Sequence, residues 1–533
     1  MGREESDGRE VPQGRRKASE TAARRGGKAT TASWKVSQLD LFSETADSPK
    51  GDTGEADGGQ PPPATCELPK SEDTERSGSL PTMKMEEVAH LENLRRAFER
   101  VESNDGAPGP DRQAIAEVRE RLGVLLPALS QDLLLGSYRP GLVRRVYIPK
   151  GGGGQRGLGI PNVVDRIVQQ AVSQVLSPHY EPTFHPSSHG FRPERSCHTA
   201  IAEARGYLED GYPWLVDLDL EKFFDRVHHD RLVARLEQRI KDRRLLDLIR
   251  KMLKARVVMP DGVLVRSEEG VPQGGPLSPL LSNIVLDELD WELARRGLRF
   301  VRYADDCNVY VGSQRAGQRV MDNLTRFIEG RLRLKVNLSK SAVARPEERH
   351  FLGFRLRREP HSGETEVYLS KRTIDRAHQK IRELTPRNWG QSLRDCIRGL
   401  NAYLTGWFGF FRICTEAGAR EFQSLDGRIR RRLRAIVLKQ WKSKRIQAKQ
   451  LIRLGVNRWL VWNTLYKGRR SLWFLSHTEP VDRGLRTAYF AKRGLVSLTV
   501  RWKETIAKPV VAPARKRRAR ATAGSNASVG SRD

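Results

Sequence analysis

The sequence predicts an α+β fold followed by an all-helical domain, and three observations predict it. Short β-rich runs alternate with helical stretches between about residues 140 and 370, and strand patterns nearly vanish beyond 371. In that second region apolar residues recur at helical spacing, as in Leu400, Tyr403, Leu404, Trp407 and Phe411. At 533 residues the chain is long enough for two or three domains, each burying its own core.

Residues 1–84 are rich in Gly, Ser, Thr, Glu, Lys and Arg, include Pro61-Pro62-Pro63 and lack apolar periodicity, so a disordered extension is expected there. From Met85 the pattern changes. Val88, Leu91, Leu94 and Phe98 recur at helical spacing and open an α+β region expected to span 85–370. Strands are expected at Val143 to Ile148, Trp214 to Leu220, Val263 to Ser267 and Arg299 to Val311. Residues 371–504 read as a helical, Arg-rich domain, and 505–533, with Arg515-Lys516-Arg517-Arg518-Ala519-Arg520, as a flexible polybasic arm.

Charge narrows the partners. Lys and Arg number 95 against 65 Asp and Glu, a formal net charge of +30, which points to a polyanion such as nucleic acid. The five cysteines form no CxxC pair, so neither a zinc ribbon nor a disulfide framework is indicated, and a reducing cytoplasm fits. No apolar run of about 18 residues is present to span a bilayer, and the charged N-terminus lacks the apolar segment of a signal peptide. A cytoplasmic protein without a membrane partner is expected.

Two acidic elements carry the candidate chemistry. Residues 300–311 show apolar alternation on both sides of Asp305-Asp306, which predicts a β-hairpin with both aspartates at its turn. The run Leu215 to Leu220 is β-type and then turns acidic and helical, which puts Asp219 at a strand end. By themselves, adjacent aspartates in a loop are more often a solvated turn or a helix cap. A carboxylate pair facing a third, however, is a compact anionic pocket that is hard to keep ionised without metal, and its hard oxygens suit magnesium. Two such ions roughly 4 Å apart can promote attack of a hydroxyl on a phosphate from both sides.

The neighbours of these aspartates make the pattern specific. Tyr303-Ala304-Asp305-Asp306 resembles the YxDD box of reverse transcriptases, and Asp219 with Phe223-Phe224-Asp225 resembles their first palm motif. Ile148-Pro149-Lys150, the stretch Arg156 to Pro161, Ser188-His189-Gly190-Phe191-Arg192-Pro193 and the stretch Gly270 to Pro279 follow in the expected order. The series is similar to the fingers and palm of group II intron reverse transcriptases. Leu400 to Phe408, Phe410-Phe411-Arg412 and Gly427 to Arg434 resemble the maturase-specific thumb of the same proteins.

The resemblance implies right-hand polymerase fingers and palm followed by a helical maturase domain, and an enzyme that copies RNA into DNA. It assigns catalysis to Asp219, Asp305 and Asp306, which with Leu220 would hold two Mg2+ ions. Lys150, Arg156, Phe224, Gln273 and Lys340 would bind the nucleotide, with Phe224 excluding a ribose 2′-hydroxyl and Phe223 in the core. Phe351-Leu352-Gly353-Phe354 would steady the primer end, and Arg428, Arg430, Arg431 and Arg432 would face RNA phosphate.

Partners implied are an RNA template, the chain's own group II intron RNA, a DNA primer or target and dNTPs. Many relatives end in an HNH endonuclease with paired CxxC ligands; none are seen here, so second-strand nicking is not expected. A reverse transcriptase domesticated for phage defence would share this chemistry. A splicing cofactor without polymerase activity would be expected to have lost the metal carboxylates.

Overall fold

The computed structural model describes residues 83–149, 154–386, 390–468 and 470–507. The chain divides into two units, Met1–Lys50 and Gly51–Asp533, and all described residues belong to the second. Lys150, nearly all of the expected N-terminal extension and most of the expected basic arm lie outside the described residues.

In chain order the principal elements begin with α1 (Leu91–Ser103), α2 (Leu122–Leu135), β1 (Val143–Pro149), β2 (Gln155–Ile160), α3 (Val163–Tyr180), α4 (Cys197–Glu209) and β3 (Trp214–Leu218). Next come α5 (His229–Glu237), α6 (Arg243–Leu253), β4 (Val257–Val258), β5 (Leu264–Val265), α7 (Ser278–Arg295), β6 (Arg299–Tyr303), β7 (Asp306–Val311) and α8 (Gln314–Phe327). The α+β region closes with β8 (Ala342–Ala344), β9 (Phe354–Arg358) and β10 (Thr365–Leu369). Helices then follow: α9 (Lys371–Leu384), α10 (Leu393–Phe411), α11 (Glu416–Gln440), α12 (Lys444–Arg453), α13 (Arg458–Tyr466), several single turns, and α14 (Leu498–Ala507). This last helix continues past residue 504, because buried Leu498 and Trp502 anchor it where a polybasic arm was expected to start soon after.

Two four-stranded sheets organise the first region. One has the order β2-β1-β4-β5 and the other β6-β7-β3-β8. In the second, every pairing is antiparallel, with β7 central between β6 and β3. Its strands are apolar on both faces: Phe300, Val301, Val309 and Tyr310 are all buried. Helices α4 and α7 pack against β6, and α8 packs across β3 and β7. A sheet covered on both faces has no room for a clean polar alternation, so a charged residue inside it needs a partner.

The helical region is joined to the first through aromatic packing. The ring of Phe354 stacks on that of Phe410 at 5.9 Å and meets Phe411 at 5.2 Å. Trp407 adds edge-to-face contact with Phe422 on α11. Leu400, Leu404, Trp407 and Phe411 form the buried stripe of α10.

Two strands are shorter than expected. Of Val263 to Ser267, Leu264 and Val265 pair with β4 and are exposed, since among the described residues no layer covers that edge. β3 stops at Leu218, and Leu220 instead bridges Val336. Among the described residues no helix is long and apolar enough to cross a membrane.

Candidate active site

The hairpin of β6 and β7 turns at Ala304-Asp305, with Tyr303 paired to Asp306. Ala304 adopts φ 56°, a left-handed conformation that side chains other than glycine resist. Something must hold it there, and two neighbours do. A Cβ added at Gly190 would overlap the backbone nitrogen of Ala304 and lie 2.9 Å from its Cα, so the glycine permits the chain around Ser188 to lie directly against the turn. The guanidinium of Arg302 donates to the carbonyl of Ala304 at 2.8 Å.

Asp219 enters from β3. Leu218, the last residue of β3, pairs with Cys307 on β7, so Asp219 directly follows the paired end of β3 and Asp306 directly precedes Cys307. The local backbone is fixed from the 337–341 loop: Ser341 Oγ accepts from the Asp219 amide at 3.0 Å, and the Asp219 carbonyl accepts from Asn337 at 2.8 Å. The same loop delivers Lys340, whose Nζ lies 3.5 Å from Asp219 Oδ2. Arg349 buttresses the loop, bonding the carbonyl of Lys340 and pairing with Asp217 Oδ2 at 2.6 Å. Burial pushes the Asp217 carboxyl above its usual range, against the pull of Arg349.

Leu220 has a hydrocarbon side chain, which is buried, so any ligand role would fall to its backbone oxygen. Among the described residues no group of three or more His, Cys, Asp and Glu side chains is drawn to metal-holding distance. The donor types still suit a hard cation, since carboxylate oxygens come from the end of β3, the turn and the start of β7; Lys340 now balances the charge of Asp219.

Around this centre the motif glycines allow close backbone contact. Gly159 donates to the carbonyl of Gln273 at 2.7 Å, and a Cβ on Gly274, at φ 121°, would sit 2.7 Å from the carbonyl oxygen of Gly159. Val271 donates to the carbonyl of Phe224 at 2.6 Å. Half-buried Gln273 therefore lies between β2 and the one-turn helix Phe223–Arg226, where Phe224 packs edge-to-face on buried Phe223 at 5.1 Å. Arg156 stands opposite Ile148 in the β1–β2 hairpin. Phe351 and Phe354 exchange backbone hydrogen bonds at 2.9 Å around a left-handed Leu352-Gly353 turn beside α10.

The arginine row of α11 is divided rather than presented as one face. Arg432 caps the end of α9, bonding the Thr385 hydroxyl, the Thr385 carbonyl at 2.8 Å and the Arg382 carbonyl at 3.2 Å. Arg431 lies 4.1 Å over the Trp473 ring, while Arg428 and Arg430 stay half-exposed.

Sequence reasoning passed over Arg302, Asp290 and Asn283, and also the His189–Glu203 pair at 2.7 Å. A signal existed: an arginine in the apolar run Phe300-Val301-Arg302-Tyr303, and Asn283, Asp287 and Asp290 at helical spacing among the leucines of α7.

An antiparallel sheet with an Asp-Asp turn and a third aspartate just past the end of a neighbouring strand, beside an arginine-bearing β-hairpin, matches the class of polymerase palms with their fingers. The sequence agrees. Residues 148–356 match the reverse transcriptase (RNA-dependent DNA polymerase) family and residues 374–455 the group II intron maturase-specific domain. Protein YkfC of Escherichia coli is 34% identical in an alignment of 329 residues that covers 54% of this chain and 86% of that protein. The group II intron-encoded protein LtrA of Lactococcus lactis is 34% identical over 39% of this chain and 34% of its own length. The putative COX1/OXI3 intron 2 protein of Saccharomyces cerevisiae is 31% identical over 43% of this chain and 34% of its own. The chain belongs to the group II intron-encoded reverse transcriptases, RNA-directed DNA polymerases with a maturase domain.

Proposed function

We propose that this chain copies RNA into cDNA at Asp219, Asp305 and Asp306, and that it serves a group II intron RNA in splicing and mobility. The observation that supports the site assignment is the pairing of Leu218 with Cys307, which puts Asp219 one residue past the paired end of β3 and Asp306 one residue before Cys307 on β7, with Asp305 in the adjoining turn. Two Mg2+ ions held by these carboxylates and the Leu220 carbonyl would neutralise charge on the triphosphate and lower the pKa of the primer hydroxyl. In the reaction the primer 3′-oxygen loses its proton and bonds to the α-phosphorus of a dNTP. The bond to pyrophosphate breaks.

The chain's own groups set that reaction up. Arg156 would meet the triphosphate from the side opposite the carboxylates, Lys150 is assigned the same role by the resemblance alone, and Lys340 would meet it beside Asp219. Gln273 would contact the nucleotide from a loop pinned to β2. Phe224 would close the sugar pocket, its backbone fixed by Val271 and its ring by Phe223. Arg428 and Arg430, with Arg431 and Arg432 beside them, would take RNA phosphate. We place the protein in the cytoplasm, near nucleoid DNA when a DNA target or primer is used.

Primer extension on an RNA template with Mg2+ tests this reading, with dNTPs compared against NTPs and the native chain against Asp305→Ala. Incorporation of dNTPs by the native chain alone is expected; equal use of NTPs, or retained activity in Asp305→Ala, contradicts it.

A further inference from the structure

Arg302 is fully buried, and so is Asp290 opposite it. Its guanidinium has five N–H donors, and all five are used. Nε and Nη2 reach the two Asp290 oxygens at 2.7 and 2.6 Å. Nη1 reaches Asn283 Oδ1 at 3.0 Å and the Ala304 carbonyl at 2.8 Å, and Nη2 reaches Ser188 Oγ at 2.7 Å. The backbone repeats the tie: His189 donates to the Arg302 carbonyl at 2.8 Å, and Arg302 donates to the Ser187 carbonyl at 2.9 Å. Asn283 closes the circuit by donating to the Gly190 carbonyl at 2.9 Å.

One side chain thus joins three separate pieces of the molecule: helix α7, the Ser188 segment, and the turn that carries Asp305. Placing an ion pair in a dry core is costly, and an apolar pair of the same volume often packs as well or better. Stability alone is therefore a poor reason for this arrangement. The feature that an apolar pair could not reproduce is the bond to the Ala304 carbonyl. That bond holds a non-glycine residue at φ 56° one peptide before Asp305.

We infer that Arg302 is a positioning residue for catalysis, fixing the Ala304 peptide so that Asp305 and Asp306 are presented together to the metal ions. Asp290 and Asn283 orient Arg302, and Ser188 and Gly190 complete the seat of the turn. The inference rests on the assignment of Asp305 and Asp306 as metal-binding.

The test uses the full chain and two variants. Arg302→Met combined with Asp290→Leu replaces the pair with apolar volume, so that neither of the two charges is left without the other. Arg302→Lys keeps the charge opposite Asp290, with one nitrogen where the guanidinium spans four groups. Mn2+ binding followed by EPR and the Mg2+ concentration giving half-maximal extension are measured, with circular dichroism and template-primer affinity as controls. Groups that orient metal ligands typically alter metal affinity or activity by roughly 10–100-fold. A weakening of that order is expected in both measurements, with template-primer affinity unchanged and a smaller shift in Arg302→Lys.

Native Mn2+ affinity and native Mg2+ dependence in a folded double variant would overturn the inference. If the double variant does not fold, Arg302→Lys decides: a shifted Mg2+ dependence supports the inference and an unshifted one overturns it. Asp305→Ala, run alongside, keeps the two questions apart. Loss of Mn2+ binding in Asp305→Ala but not in the Arg302 variants removes the role of Arg302 alone, whereas retention in Asp305→Ala removes the metal assignment as well.

Discussion

Lys340 Nζ sits 3.5 Å from Asp219 Oδ2, with the lysine side chain 62% exposed and the carboxylate 32% exposed. An ion pair this open contributes only about 0–1 kcal/mol to stability. Its use lies in charge placement beside the carboxylate pocket.

Lys340→Ala is accordingly expected to leave the melting temperature almost unchanged. KM for dNTP should rise by about tenfold, the equivalent of about 1.4 kcal/mol of phosphate binding, with partial rescue in Lys340→Arg. Steady-state extension kinetics and a thermal melt together check this. A large drop in melting temperature with unchanged KM would place Lys340 in the structure rather than at the nucleotide.

Phe224→Ala should relax sugar discrimination. The ring packs on Phe223 and its carbonyl is held by Val271, so the backbone stays in place while the wall of the pocket is removed. The dNTP-to-NTP ratio of kcat/KM is expected to fall by roughly 10–100-fold, on the scale of contacts worth about 1–3 kcal/mol. An unchanged ratio assigns the exclusion of ribose elsewhere.

Gly190→Ala tests the seat of the turn. The added methyl meets backbone atoms of Ala304, which cannot swing aside as a flexible side chain could. A stability loss of about 1–3 kcal/mol and loss of most extension activity are expected, read by denaturant melts and primer extension on the folded fraction. A fully active, stable variant would show that the turn does not need this glycine.

The pH dependence of folding should report Glu203. Burial pushes its carboxyl up, but hydrogen bonds from His189, Ser187 and Tyr207 outweigh this and hold it below the ordinary 4.5. A depressed carboxyl stabilises the fold fully above that ordinary value, and the contribution is lost as pH falls through the depressed one. Melting temperatures between pH 3 and 7 should therefore fall at the acid end. Glu203→Gln should be less stable at pH 7 and show a shallower acid loss; parallel curves would rule Glu203 out as the titrating group.

The divided arginine row predicts two classes of variant. Charge reversal at Arg428 and Arg430 should weaken intron RNA binding and reduce the salt slope by roughly 0.7–0.9 for each phosphate no longer neutralised, with little change in melting temperature. Reversal at Arg432, which caps α9 through Thr385, should lower the melting temperature first. Filter binding across a salt series, paired with melts, separates them.

Much of this architecture was legible in the residues. The alternation around Asp305-Asp306 gave the hairpin, the Leu215 run gave β3 with Asp219 just past its end, and the stripe from Leu400 to Phe411 gave α10. Each is a local pattern of period two or 3.6. The support of the turn was not legible, because Ser188 and Arg302 are 114 residues apart in sequence and meet only when the sheet forms. The contacts that Arg431 and Arg432 make within the protein were hidden for the same reason: Trp473 and Thr385 come from other segments, and no spacing along α11 reveals them. Val263 to Ser267 looked like a strand by composition, but β propensity extends a strand only where a neighbour covers it.

The carboxylate assignment is tested most directly by single-nucleotide addition to a DNA primer on an RNA template, followed by rapid quench with Mg2+, in the native chain and in Asp219→Asn and Asp306→Asn. The native chain should add dNTP, and both variants should do so at a rate lower by a factor of about 10³ or more, roughly 4 kcal/mol of barrier, with template-primer affinity retained. Addition at the native rate in either variant would contradict the assignment.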